Sequence, residues 1–123
     1  MIVQLENISK HYSLGCEQID VFSEVNFEVE RGEFVSIMGT SGSGKTTLLH
    51  IIGTLLVADS GSYLLDRKEV TALSDSQRSW IRANWIGYVF QTFDLIAEQN
   101  VMENVALPYL YRDVEPKLAK EQV

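Results

Sequence analysis

Cysteine is nearly absent. Cys16 stands alone among 123 residues, so no disulfide can form within the chain. A lone thiol, behind an N-terminal stretch (MIVQLENISK) too mixed and polar for a secretory leader, fits a reducing cytoplasm. Proline is scarce too, at two residues, and no Pro/Gly/Ser-rich linker, repeat or low-complexity tract divides the chain. One continuous domain is therefore expected over residues 1–123. The longest apolar stretch, residues 48–58, is broken by His50 and Gly53. It falls well short of the roughly 20 residues a membrane-spanning helix needs. Basic residues are few, 10 Lys and Arg against 17 Asp and Glu for a net charge of −7, and they form no block. Nucleic acid is therefore disfavoured as the main ligand, because phosphate backbones are held mostly by clustered Lys and Arg. With 46% hydrophobic and 22% charged residues, the composition is that of a folded domain, long enough for a core without metal or disulfide staples.

Periodicity supplies the elements. Residues 2–10 alternate apolar and polar through Ile2, Val3, Leu5 and Ile8, and residues 21–30 do so more strictly through Val25, Phe27 and Val29. Both predict half-buried strands. Arg31-Gly32 is a turn signal, and the short apolar run of residues 34–38, followed at once by glycine, predicts a buried strand. From Lys45 to Leu56 the chain is apolar around most of a helical circumference, as in a helix enclosed by a sheet. Gly61 precedes a further short strand over residues 62–66. Ser74 with Gln77 and Asn100 with Glu103 have the spacing of capping boxes, opening helices over residues 74–85 and 101–107, the second ended or bent at Pro108. Residues 86–90 read as another buried strand. Strands alternating with helices predict an α/β architecture.

The sequence Gly39-Thr40-Ser41-Gly42-Ser43-Gly44-Lys45-Thr46 matches G-x-x-x-x-G-K-[ST] at every fixed position. It follows an apolar run and opens a helix, which is the setting the motif requires. Glycines let the backbone close around a phosphate without Cβ clashes, so that N–H groups and the positive end of the helix face the anion. Lys45 adds a point charge near the β- and γ-phosphates, the Thr46 hydroxyl suits Mg²⁺, and Thr47 follows in the same first turn. A merely flexible loop would not need Lys and Thr at those two places. The expected ligands are ATP and Mg²⁺, although the motif alone does not choose among kinases, GTPases, helicases and transporters.

The segment Arg31-Gly32-Glu33-Phe34-Val35-Ser36-Ile37-Met38-Gly39, the phosphate loop, and Ile86-Gly87-Tyr88-Val89-Phe90-Gln91-Thr92-Phe93-Asp94-Leu95-Ile96 together resemble the ATP-binding subunit of an ABC transporter. The tail Val101-Met102-Glu103-Asn104-Val105-Ala106-Leu107-Pro108 resembles the lipoprotein-release and macrolide-export branch of that family. The resemblance implies a P-loop NTPase fold of the ABC ATPase type, with an N-terminal antiparallel β subdomain and a parallel-sheet core left incomplete in this chain. It implies that Gln91 contacts the Mg²⁺ and attacking-water region, a catalytic and metal-side role that suits an uncharged amide. Tyr12 takes the place of the aromatic that stacks on adenine, where weak base selectivity is expected because every base has a π face. The region after Gln91, with Phe93, Leu95, Ile96, Tyr109 and Tyr111, takes the place that meets a transmembrane permease subunit. A second ATP-binding subunit would complete a head-to-tail dimer, peripheral on the inner face of the cell membrane. Trp80 and Trp85 are expected to serve packing, and His11 and His50 are too far apart in sequence for a metal pair.

Three further elements of that family do not occur in these residues. There is no Leu-Ser-Gly-Gly-Gln and no glycine after Gly87, no histidine after His50, and no apolar strand ending in Asp-Glu. The nearest strand of that kind, Tyr63-Leu64-Leu65-Asp66, is followed by Arg67, so Asp66 is expected to be a turn residue. The chain thus reads as the N-terminal, nucleotide-binding part of one ABC domain. Two other readings stay open at this point, a nucleotide-binding module that does not hydrolyse ATP and another P-loop kinase or GTPase.

Overall fold

The computed structural model describes residues 1–92 and 94–111. The chain divides into two compact units, Met1–Arg78 and Ser79–Val123. Among the described residues no helix is long and apolar enough to cross a membrane.

The first unit is built on a four-stranded antiparallel sheet of order β2-β1-β3-β4, comprising β1 (Val3–Leu14), β2 (Glu17–Val29), β3 (Ser60–Leu65) and β4 (Lys68–Glu69). Odd-numbered residues of β1 place their side chains in one row with their cross-strand partners. Val3 lies between Val29 and Leu65, and Leu5 between Phe27 and Tyr63. Leu5 and Ile8 are fully buried, each contributing about 2 kcal/mol of apolar burial. Strands β1 and β2 run further than the alternation implied, to a turn at Gly15 (φ +63). The outer arm of this hairpin, from Lys10 to Leu14, pairs with β2 alone. Its polar, irregular sequence hides the strand, because an arm outside the core needs no alternation.

Helix α1 (Lys45–Ile52) buries Leu48 and Ile51. The Tyr63 hydroxyl donates to the Ile52 carbonyl at 2.8 Å and ties the end of α1 to β3, while burial pushes the Tyr63 phenol above its ordinary range. The expected helix ran to Leu56; the observed one stops four residues earlier. The Thr54 N–H bonds the Ile51 carbonyl and the Leu55 N–H the His50 carbonyl, the crossed pair of a Schellman turn. Thr54 occupies the left-handed position (φ +57) that glycine normally takes. Asp66 is the expected turn residue: with Arg67 it adopts positive φ (+47 and +66) between β3 and β4. The Arg31 guanidinium, 2.6 Å away, holds the Asp66 carboxyl below the usual range.

Glu69 fastens the β3–β4 corner, accepting from the Ser62 hydroxyl at 2.7 Å and the Thr71 N–H at 3.0 Å. Partial burial raises its carboxyl, but these hydrogen bonds outweigh the burial and leave it below the ordinary glutamate value. A depressed carboxyl contributes stability above the unfolded value, about pH 4.3, and loses it as pH falls through the folded one. Urea titrations are therefore expected to find Glu69→Gln less stable at pH 7 by about 0.5 kcal/mol, after solvent screening, and equal to the parent near pH 2.5. A difference that persists at the lower pH would refute this.

Helix α2 (Asp75–Trp85) opens as the sequence predicts: Ser74 N–H donates to the Gln77 side chain at 2.9 Å and Gln77 N–H to the Ser74 hydroxyl at 3.4 Å. In the second unit Ile81 is buried, while Trp80 and Trp85 meet edge to face at 6.0 Å. Helix α3 (Val101–Ala106) has a complete capping box at Asn100 and Glu103, and it passes into a 3₁₀ turn, Leu107–Tyr111, at Pro108. Asn104 clamps the approach to α3: its amide donates to the carbonyls of Ile96, Gln99 and Asn100, and its Oδ1 accepts from the Ile96 N–H at 2.8 Å.

Two expected strands are not formed. Residues 34–38 and 86–90 join no ladder among the described residues, and Phe34, Met38 and Val89 are 91%, 89% and 95% exposed. A buried parallel strand exists only through neighbours on its edges and faces. An apolar run records the demand for burial without supplying the partner.

Candidate nucleotide site

The phosphate loop joins the run of residues 34–38 to α1. Gly42 (φ +80) and Gly44 (φ +84) adopt the left-handed backbone that L side chains resist. Space also forbids a side chain at Gly44, where a Cβ would meet Val21 Cγ1 at 2.8 Å and Phe22 Cδ1 at 2.9 Å. Strand β2 is therefore packed directly beneath the loop. At Gly39 a Cβ would meet Ser43 Oγ at 2.8 Å, so the loop's two limbs approach closely. The Lys45 ammonium reaches back across this concavity and donates to the carbonyls of Gly39 (3.0 Å) and Thr40 (2.6 Å) and to Ser43 Oγ (3.3 Å).

Gly44 caps α1 without a side-chain hydrogen bond, and the first helical bond runs from the Leu48 N–H to the Gly44 carbonyl at 2.9 Å. The N–H groups of the turn before it have no intrahelical partner and carry the positive end of the helix dipole. A tight glycine loop, those N–H groups, a cation and an exposed hydroxyl at Thr46 make a donor set that fits a magnesium-bound polyphosphate.

A shallow groove is lined by Tyr12, Val21, Gly42, Gly44, Lys45, Thr46 and Thr47. It brings Tyr12, from the outer arm of β1, beside a loop that begins 27 residues later in the sequence at Gly39. Tyr12 is 43% exposed, so a ring face is open to a planar ligand. Ser41 is exposed at the loop's crown. Gln91 lies in the second unit, exposed and outside helix and strand. Of the apolar segment after it, Leu95, Ile96 and Tyr111 are exposed and Tyr109 is half-buried; Phe93 lies outside the described residues.

Three residues that no sequence motif assigns to a site brace the elements around the groove. Val21 and Phe22 form the floor under Gly44. Asp59 reaches β1: it accepts from the Lys10 ammonium (2.7 Å) and the His11 N–H (2.7 Å), and its carboxylate lies 2.9 Å from His11 Nδ1. Partial burial raises the Asp59 carboxyl, but these donors and their charges outweigh it and hold the group below the aspartate range. Such a contact joins residues 48 and 49 apart in sequence, beyond the reach of any local pattern.

A family profile described as ABC transporter matches residues 22–123. The chain is 40% identical over 121 residues to the ABC transporter ATP-binding protein YknY of Bacillus subtilis, covering 98% of this chain and 53% of the relative. It is 39% identical over 120 residues to the lipoprotein-releasing system ATP-binding protein LolD of Pseudoalteromonas translucida, covering 98% and 52%. Among solved structures, the ATP-binding cassette MJ0796, a dimer bound to ADP and Pi, superposes with TM-score 0.89 at 39% identity, covering 98% of this chain and 53% of that one. The chain spans about half the length of the curated relatives it matches. The profile match, and the likeness of fold and sequence to these cassettes, show that the chain belongs to the ABC transporter family, among its ATP-binding proteins.

Proposed function

We propose that this chain is the nucleotide-binding part of an ABC transporter ATPase, holding MgATP between the ring of Tyr12 and the loop Gly39–Thr47. One observation carries the reading: the single groove that unites an open aromatic face with the phosphate loop and its lysine. Adenine stacks on Tyr12, the triphosphate lies along the loop N–H groups and Lys45, and the Thr46 hydroxyl would hold Mg²⁺. When bound, the metal would neutralise charge on the triphosphate. In the complete subunit, binding and hydrolysis of ATP would drive a membrane permease that exports or extracts a hydrophobic substrate or lipoprotein. The names of LolD and of the macrolide export protein MacB of Bdellovibrio bacteriovorus, 41% identical over 112 residues, support that class. The permease would dock on the region after Gln91 at the inner face of the membrane, and a second ATP-binding subunit would pair head to tail, as the dimeric cassette supports.

These 123 residues contain no Leu-Ser-Gly-Gly-Gln and no strand ending in Asp-Glu. The chain alone is therefore expected to bind MgATP in titration calorimetry while phosphate release stays at buffer background. Absence of binding would sink the proposal; steady release dependent on Lys45 would overturn the division between binding and hydrolysis.

A further inference from the structure

The nucleotide-site reading requires Tyr12 to stand at a set distance from the phosphate loop, and strand pairing holds its arm on one edge only, through β2 and the contacts of Val21 and Phe22 with Gly44. Beyond Ser9, which pairs with Ser60 at the start of β3, residues Lys10 to Leu14 of β1 have β2 as their strand partner. Register shifts occur on both sides of Lys10, between Ile8 and Lys10 and between Lys10 and His11. A strand with slips so close together and a strand partner on one edge has little ladder to fix its twist, on which the position of Tyr12 depends.

Asp59 occupies the open edge. Its N–H donates to the Ser9 carbonyl at 3.0 Å, and its carboxylate takes the Lys10 ammonium on one oxygen and the His11 backbone N–H on the other, with His11 Nδ1 2.9 Å from that second oxygen. It thus continues, with one side chain, the pairing that β3 stops providing. The Lys10 ammonium, held at 2.7 Å by Asp59, lies 5.7 Å from the centroid of the Tyr12 ring. The Lys10 side chain is 11% exposed and that of Asp59 28%, so the lysine stem is covered while the pair itself stands at the surface. Asp59 is also tied to the other half of the site. It ends the short segment that leaves α1 through the Schellman turn at Thr54, and α1 begins at Lys45. A continuous path runs from phosphate loop to helix, to Asp59, to the strand that bears Tyr12.

We propose that Asp59 is a positioning residue for the nucleotide base: it sets the separation between the Tyr12 ring and the phosphate loop, without touching the ligand. The proposal rests on the stacking of adenine on Tyr12, and the test separates the two. Calorimetry on the full chain would compare MgATP with magnesium tripolyphosphate, which has phosphates and no base. Asp59→Ala is expected to weaken MgATP about fivefold, a fraction of the stacking contribution, and to leave tripolyphosphate within about twofold. Asp59→Asn, which keeps a carbonyl for the His11 N–H, recovers part of the loss. In a Tyr12→Ala background, Asp59→Ala is expected to add nothing. Equal weakening of both ligands, or additive losses in the double variant, would assign Asp59 to general loop stability and overturn the proposal. An effect of Tyr12→Ala with none from either Asp59 variant overturns it alone, whereas no effect of Tyr12→Ala on MgATP overturns the stacking reading and this proposal together.

Discussion

MgATP at about 100 times its Kd is expected to raise the melting temperature of the chain by roughly 10 °C, and Lys45→Ala to abolish the rise. The size follows from linkage: a ligand at that excess stabilises the folded state by about 2.7 kcal/mol. Lys45 is the appropriate residue to remove because its ammonium crosses the loop at 2.6 to 3.3 Å from Gly39, Thr40 and Ser43, the space a β- or γ-phosphate would share. Those hydrogen bonds are exposed, so losing them costs the ligand-free protein little, about 1 kcal/mol or less. The ligand-free melting temperature therefore serves as the control. A full shift retained by Lys45→Ala would remove the phosphate loop from the nucleotide site.

Gly61→Ala is expected to cost about 3 kcal/mol in urea denaturation, large for one methyl group. Gly61 has φ +97, and a Cβ there would lie 2.6 Å from the carbonyl oxygens of both Glu6 and Asn7. Those atoms are backbone of the central strand and cannot swing aside as a side chain would. Asn7 itself has φ +51 where β1 slips against β3, between Glu6 and Ser9. The glycine and the bulge fit each other, and β3 reaches Tyr63 and Leu65 of the core only by passing this point. Gly15→Ala is the comparison: φ +63, with nothing within 4 Å of a Cβ, so only the backbone term of about 1 kcal/mol applies. Equal costs at the two glycines would show that the contact with β1 is unimportant.

Much of this is legible in the sequence. The boxes at Ser74 and Asn100 were readable because a cap is a local device, closed within three residues of its start. The phosphate loop was readable for a similar reason: positive φ at Gly42 and Gly44 and a cation beside them are written in adjacent letters. Alternation located β1 and β2 where one face is buried and lost them along the hairpin arm, where neither face is. The expected helix end at Leu56 failed because Thr54 takes a glycine's conformation. Its neighbours satisfy the orphan carbonyls of α1, and β-branching gives no warning of that.

By itself the sequence determined the residues of the loop and their spacing, the presence of the three α-helices and the family, since all three rest on residue identity at short spacing. The resemblance named Tyr12, and only the tertiary structure decided its neighbours and supports: the loop beside it, Val21 and Phe22 under Gly44, and Asp59 at the edge of β1 that no strand pairs. It also decided that residues 34–38 and 86–90 join no ladder among those described. The reason is common to both. Pairing is a property of two segments distant in sequence, whereas periodicity and motifs describe one segment at a time.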